Sequence, residues 1–277
     1  MNKKLTNKMK TALMDVFNGA NSLTINKGTI KSLVSRQLLN DSGTLTHEGW
    51  LLAMSNLSLK RQCELLDLQC DAKKWEKKNL KPELHAFESF KKLGYVGSYC
   101  EAGGIGLVLK SLSLDALTTT SFFKEDPELA RTRSCLGGIV FLAHKNKEEL
   151  EIVYEDIRKT DKTKFRAACE EILEYDLIHE WYPGLTVEFA CALFDTLSKE
   201  TFVKIAEWIS RSTEHRNGWP DLTLVKDGRV KFVEVKTADK LHRSQLITMP
   251  ALKGYLGQDV SILKLSRLKT LEQVTND

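Results

Sequence analysis

Apolar residues recur at helical spacing through the first 56 positions of the chain. The pattern predicts helices over residues 5–17, 29–39 and 47–54. Asn18-Gly19 is a typical helix-ending signal, and Asn40-Asp41-Ser42-Gly43 predicts a turn that leads into a short strand. The chain therefore opens with a helical unit that carries one small wing.

The phrase Leu45-Thr46-His47-Glu48-Gly49-Trp50 completes this unit. The succession of helix, Gly-tipped turn and short strand resembles a winged helix-turn-helix domain, and such domains bind DNA through Arg or Lys of the second helix and the wing. The resemblance implies that Lys27, Lys31 and Arg36 contact DNA. The alternative is a module that docks onto a protein partner, and both interpretations stay open here.

A charge-dense stretch ends at Pro82, and we interpret residues 71–82 as a linker. It would separate an N-terminal module (1–70) from a second domain (83–277). Helical patterns dominate residues 83–210, interrupted by Gly and Pro pairs. Because every candidate catalytic block follows residue 82, we expect the second domain to act without the first.

Two β-branched runs over residues 222–225 and 230–235 predict strands. Asp227-Gly228 between them is the strongest short hairpin signal. A two-residue loop fixes the register of the hairpin, so each residue has a defined partner on the opposite strand.

This register brings two carboxylates and one ammonium onto one face. Asp221 lies directly opposite Glu234, with Cβ atoms about 5 Å apart, and Lys236 lies two residues further along. Like charges directly opposite destabilise a sheet, so a compensating cation is expected, and Mg²⁺ or Mn²⁺ suits hard carboxylate oxygens beside phosphate. The alternative is a surface cluster that the lysine neutralises.

Three short blocks follow one another in this region: Gly218-Trp-Pro-Asp221, Glu234-Val-Lys236 and Asp239-Lys-Leu-His-Arg-Ser-Gln245. In order and spacing they resemble the VRR-NUC branch of the PD-(D/E)xK nucleases. Upstream, Tyr99-Cys-Glu101-Ala-Gly and Thr120-Ser-Phe-Phe123 are similar to the nuclease domain of the Fanconi-associated nuclease group. The resemblance covers about residues 83–266. It implies an α/β (α+β) restriction-endonuclease-like core with a helical insertion.

The same resemblance implies a role for each matched residue. Lys236 would help to activate water and stabilise developing charge, and Gln245 would orient the lysine or a phosphate. Glu88 is an alternative to Glu101 as the acidic metal ligand contributed by a helix. The implied ligands of Mg²⁺ or Mn²⁺ are three carboxylates and one backbone carbonyl: Glu101, Asp221, Glu234 and Val235.

Charge is unevenly distributed along the chain, although the net charge is only +4. Residues 1–81 carry 14 Lys and Arg against 7 Asp and Glu, residues 82–210 carry 15 against 22, and residues 211–268 carry 11 against 6. Two basic regions therefore flank an acidic middle. This pattern weakly favours a polyanionic partner.

In the second basic region, Arg211 and Arg216 are expected to contact DNA. Trp208 and Trp219 lie on either side of them. Stacking on an unpaired base is one interpretation of these tryptophans, and we favour packing in the core.

Several classes of protein are excluded by composition. No apolar run approaches the roughly 20 residues that a membrane span needs. The six cysteines form no CxxC pair and are typical of reduced thiols in a cytoplasmic protein, and the six histidines show no zinc spacing.

The sequence thus predicts a metal-dependent DNA nuclease, selective for flapped or branched duplex, in DNA repair or recombination. One alternative is an antibacterial DNase toxin of an interbacterial secretion system. Another is a non-catalytic DNA-binding protein, which would not require paired carboxylates beside phosphate.

Overall fold

The computed structural model describes residues 5–75 and 80–267. Its strands form one mixed sheet: β1 (Gln69–Trp75), β2 (Val96–Ser98), β3 (Leu222–Lys226), β4 (Arg229–Lys236) and β5 (Asp259–Arg267). The order across the sheet is β1-β5-β4-β3-β2. Strand β5 runs parallel to both β1 and β4, whereas β2, β3 and β4 are antiparallel neighbours. This mixed architecture confirms the predicted α/β class.

Helices precede, interrupt and complete the sheet. Those before β2 are α1 (Asn7–Phe17), α2 (Lys27–Val34), α3 (His47–Asn56), α4 (Leu59–Leu66) and α5 (Pro82–Lys91). The predicted helical insertion lies between β2 and β3 and comprises α6 (Ala102–Leu112), α7 (Leu114–Thr119), α8 (Pro127–Gly137), α9 (Lys147–Lys159), α10 (Lys162–Leu173), α11 (Asp176–Trp181), α12 (Val187–Thr196) and α13 (Lys199–Ser210). Helix α14 (Arg243–Gly254) connects β4 to β5. None of the helices in the described part of the chain has the length and hydrophobicity that crossing a bilayer requires.

The N-terminal helices begin at polar caps. The side chains of Thr6, Asn26, Thr46 and Ser58 each accept a hydrogen bond from a backbone N–H of the first turn. The predicted helix over 29–39 instead runs over Lys27–Val34, and the predicted wing strand is a single bridge between Leu39 and Leu45. A small core holds the unit together and includes Leu13, Leu33, Leu39 and Ala53.

Helices α3 and α4 also pack against the rest of the protein. Leu51, Met54 and Leu59 belong to one continuous buried cluster with Met249 and Leu252 of α14. Apolar surface shared in this way is removed from water only when both parts are present. The N-terminal unit is therefore fixed to the sheet-bearing part rather than tethered beside it.

The predicted linker over 71–82 is wrong at both ends, because Pro82 begins α5 and residues 71–75 lie in a strand. These residues belong to β1, which pairs with β5 in register from Gln69 with Ser261 to Trp75 with Arg267. Residues 76–79 lie outside the described part of the chain. All of β1 except Trp75 is exposed, so this edge strand has the polar, charged composition that is also typical of a linker.

Removal of the N-terminal residues should therefore destabilise the protein, contrary to the expectation of an independent second domain. A shortened chain of residues 82–277 would leave β5 as an unpaired edge and expose the apolar surface beneath α3 and α4. We expect a lower melting temperature and self-association, measured by thermal unfolding and size-exclusion chromatography. A chain of residues 57–277 is the matched control, because it keeps α4 and β1. A monomeric 82–277 chain with the melting temperature of the full chain would contradict this account.

Candidate active site

The hairpin of β3 and β4 sets the geometry of the site. Both turn residues, Asp227 and Gly228, have positive φ, as a two-residue hairpin turn requires. Leu222 pairs with Val233 at the far end of the ladder, which confirms the predicted register. The residues that follow along each strand are Asp221 and Glu234, and they face each other.

Asp221 lies where β3 begins and is held by backbone groups on both sides. Its Oδ2 accepts a hydrogen bond from the backbone N–H of Val235 at 2.8 Å, and its carbonyl accepts one from the N–H of Glu101 at 3.3 Å. Burial, together with the nearby charge of Glu234, raises the pKa of the Asp221 carboxyl to about 8. Simultaneous ionisation of the Asp221 and Glu234 carboxyls is therefore unfavourable unless a positive charge lies nearby.

The two oxygens of Glu234 have different surroundings. Oε1 accepts a hydrogen bond from Gln245 Nε2 at 2.6 Å and lies 3.0 Å from Lys236 Nζ. Oε2 is buried and has no hydrogen-bond partner among the described residues. Burial raises the pKa of Glu234, although Lys236 opposes the shift. A buried carboxylate oxygen without a partner is strongly disfavoured unless something positive binds it.

Lys236 is 3% exposed and lies between two carboxylates. Its Nζ is 3.0 Å from Glu234 Oε1 and 3.2 Å from Asp239 Oδ2. Burial opposes the charged form, but the two carboxylates outweigh it and raise the pKa of the ammonium. Lys236 is therefore protonated at neutral pH and supplies positive charge rather than a base.

A glycine allows Gln245 to reach this site. Gly218 has φ of +76°, and a Cβ at this position would lie 2.3 Å from the backbone of Ser244. The loop that precedes Asp221 thus packs directly on the first turn of α14. Gln245 Oε1 accepts a hydrogen bond from the N–H of His242, so the same side chain caps the helix and holds Glu234.

Glu101 immediately precedes α6 in a conformation that is rare for a residue with a side chain, with φ of +45° and ψ of −125°. Such backbone strain is concentrated at functional sites. The negative charges of Glu101 and of Glu83 in α5 both contribute to the raised pKa of Asp221. The alternative ligand Glu88 instead pairs with Lys91 on the same helix at 3.4 Å. Glu101 is thus joined to Asp221 through its backbone N–H, whereas Glu88 is paired along its own helix.

The chemistry of these residues fits a hard divalent cation. Asp221 and Glu234 offer carboxylate oxygens from adjacent strands, and Glu234 Oε2 has no hydrogen-bond partner in the ranges that the structure describes. No three His, Cys, Asp or Glu side chains in the described ranges stand close enough to form a complete metal site. Mg²⁺ does not need such a cage, because it keeps several waters and binds through one or two carboxylates plus phosphate oxygens.

A cleft of about 930 Å³ opens beside the carboxylates. Its lining includes Glu83, Glu101 and Asp221, together with an apolar and aromatic portion contributed by the helical insertion. Trp181 belongs to that portion and is 53% exposed. No motif marked Trp181 in the sequence; the only signal is its position just before the Pro183-Gly184 break.

The three glycines in the first turns of α6 have different surroundings. A Cβ at Gly103 would lie 2.4 Å from the ring of Tyr182, and one at Gly104 would lie 3.0 Å from Phe189. A Cβ at Gly106 would meet nothing within 4 Å, and this residue lines the cleft. Two of the three glycines are thus explained by close packing.

The predicted DNA-binding residues lie in different surroundings. Lys27 and Lys31 are exposed on α2, and Arg36, just after that helix, is half-buried. The guanidinium of Arg211 lies over the rings of Trp208 and Tyr255, at 5.3 and 5.0 Å. Arg216 lines the cleft and donates a hydrogen bond to the carbonyl of Val140 at 2.9 Å. Trp208 and Trp219 are both buried, which confirms core packing for them.

Comparison with known proteins shows structural likeness only. No model of a protein family matches the sequence, and no curated protein matches it. Solved structures that resemble the chain include paFAN1 bound to DNA with a two-nucleotide 5′ flap and a gap, at 14% identity and a TM-score of 0.49 over 95% of this chain and 49% of that chain. Another is paFAN1 bound to DNA with a one-nucleotide 5′ flap and a gap, at 15% identity and a TM-score of 0.48 over 88% and 46%. The chain thus spans about half the length of these proteins. A likeness at this level assigns no function, and the functional case rests on the geometry of the site.

The raised pKa of Asp221 has a consequence for stability. Between about pH 4, where a free aspartate titrates, and pH 8, the folded state binds a proton that the unfolded state has lost, so the free energy of unfolding falls as pH rises. Asp221→Asn keeps an acceptor for the N–H of Val235 and removes the titrating charge. In EDTA we expect the Asn variant to melt several degrees above wild type at pH 8.5, and close to wild type at pH 5.

Asp259→Asn is the matched control, because it makes the same charge change at a carboxylate on the surface. Thermal unfolding of the three proteins at both pH values is the measurement. Parallel behaviour of the Asp221 and Asp259 variants would contradict the assigned pKa.

Proposed function

We propose that this protein is a metal-dependent deoxyribonuclease that hydrolyses phosphodiester bonds in flapped or branched DNA. The observation that carries the proposal is the close pair of the half-buried Asp221 and the buried Glu234, with Lys236 beside it and no hydrogen-bond partner for Glu234 Oε2 among the described residues. A protein that only binds DNA has no use for a negative pair that repels phosphate and opposes folding. The resemblance of the sequence blocks to VRR-NUC nucleases supports the same reaction.

Asp221 and Glu234 would hold Mg²⁺ or Mn²⁺, with Glu101 and the carbonyl of Val235 as proposed further ligands. A bound divalent cation would polarise the scissile phosphate and lower the pKa of a coordinated water. Within the chain, Gln245 fixes Oε1 of Glu234, so Oε2 would be available to hold the cation. The protonated Lys236 offsets negative charge that develops on the phosphate in the transition state.

Substitution of the carboxylates should separate chemistry from binding. We expect Asp221→Ala and Glu234→Gln to reduce cleavage of 5′-flap DNA by about a hundredfold or more, with DNA affinity retained or increased because a charge that repels phosphate is lost. Lys236→Met should lose turnover but still bind Mn²⁺ in calorimetric titration. Cleavage should be measured on flap, nicked and plain duplex DNA with Mg²⁺, Mn²⁺ or EDTA.

Asp259→Asn on β5 serves as the control, because it removes an exposed carboxylate from the same sheet. Retention of more than about a tenth of wild-type cleavage by either carboxylate variant would overturn the assigned site, since metal-site chemistry is worth far more than that factor. Unchanged cleavage in EDTA would overturn metal dependence.

The half-exposed indole of Trp181 supports a role for the cleft in holding an unpaired base. Stacking of a base on an aromatic ring is worth about 1–3 kcal/mol, so Trp181→Ala should weaken binding of DNA with a single-stranded flap by about tenfold and binding of blunt duplex much less. Affinities should be measured in EDTA, so that cleavage does not interfere.

Trp181→Phe should preserve most of the affinity. Phe122→Ala is the matched control, because Phe122 is exposed and is absent from the cleft lining. Equal loss of flap and duplex binding in Trp181→Ala would show that the ring does not contact an unpaired base.

A further inference from the structure

The segment that joins β4 to α14 is held from outside the catalytic part of the protein. Residues 237–242 have no helical or strand structure of their own. At the centre of the segment, the N–H of Leu241 donates to Gln62 Oε1 at 2.9 Å, and the Leu241 carbonyl accepts from Gln62 Nε2 at 3.4 Å. Gln62 belongs to α4 and is fully buried, and its Nε2 also donates to the carbonyl of Met54 at 3.0 Å.

Two further contacts join this segment and the first residue of α14 to the N-terminal helices. Arg243 binds both carboxylate oxygens of Glu48 in α3, at 2.6 and 2.9 Å, while its Nε donates to Glu214 at 3.0 Å. Lys240 Nζ donates to the carbonyl of Ser55 at 3.1 Å. Bidentate pairing of a guanidinium with a carboxylate fixes orientation as well as distance.

Two side chains in and just after this segment contact the candidate site. Asp239 within the segment contacts Lys236, and Gln245 in the first turn of α14 holds Glu234 Oε1. A displacement of the segment therefore moves the groups that orient both the carboxylate and the ammonium. Active sites lose rate steeply when such supporting groups shift by as little as about 1 Å.

We propose that Gln62 and Glu48 are positioning residues for the catalytic segment, so that the N-terminal helices determine whether Lys236 and Gln245 are correctly placed. The proposal rests on the proposed nuclease function. It gives the N-terminal unit a role in turnover that is separate from any DNA contact through Lys27 and Lys31. Whatever displaces α3 or α4 will slow the reaction without touching the substrate.

The test compares Gln62→Met and Glu48→Gln in the full chain. Gln62→Met keeps the side-chain length and removes all three hydrogen bonds; Glu48→Gln weakens one partly exposed ion pair and should leave the melting temperature nearly unchanged. Glu64→Gln is the matched control, because Glu64 also lies in an N-terminal helix but pairs with Arg61 beside it.

Two measurements test the positioning role. Hydrogen–deuterium exchange reports on the segment without any cleavage of DNA, and kcat reports on turnover. In metal-free protein, hydrogen–deuterium exchange of residues 237–246 should rise in both variants and not in the control. On 5′-flap DNA with Mn²⁺, kcat should fall about tenfold for Gln62→Met, as for loss of a supporting contact at a metal site, and about two- to fivefold for Glu48→Gln, with KM unchanged in both.

Unchanged exchange in the segment would overturn the positioning role whether or not the protein cuts DNA. Raised exchange with wild-type kcat in both variants would overturn the link to turnover. If wild type cleaves no DNA under any condition, the proposed function fails, and the exchange measurement still decides whether Gln62 and Glu48 hold the segment.

Discussion

Two carboxylates that face each other, Asp221 half-buried and Glu234 buried, are the constraint on which the rest of this site depends. Burial disfavours the charged form of each, and their proximity disfavours ionisation of both together. The surroundings compensate in part: Asp221 accepts a backbone hydrogen bond, and Lys236 and Gln245 share one oxygen of Glu234. The other oxygen, Oε2, is buried and has no hydrogen-bond partner in the described part of the chain, so the negative charge of the pair is only partly compensated.

Local chemistry made part of this arrangement predictable from the sequence. A two-residue turn determines the register of a hairpin, so the juxtaposition of Asp221 and Glu234 follows from counting residues. The same reasoning failed for β1 and did not identify β2 or β5. A solvent-exposed edge strand carries no alternation of apolar residues, and β1 has instead the charge density of a linker. Likewise, the cleft that exposes Trp181 exists only once the helical insertion has packed.

Contacts between residues far apart in the chain were the least predictable from the sequence. Gln62 and Leu241 are 179 residues apart, and neither belongs to a pattern that would pair them. The N-terminal unit could be recognised as a small helical module, but its shared core with α14 could not be inferred from periodicity. The module and the sheet-bearing part therefore form one structure, although the sequence suggests a boundary between them.

The place of β5 in the sheet has a consequence for how the chain folds. Gln69 pairs with Ser261, 192 residues later, and β1 lies at the edge of the sheet beside β5. During synthesis β1 leaves the ribosome long before its partner exists, and contacts so far apart in sequence form late. An apolar strand waiting in that state would invite aggregation. The charged composition that makes β1 resemble a linker is thus also what keeps it soluble until β5 has been synthesised.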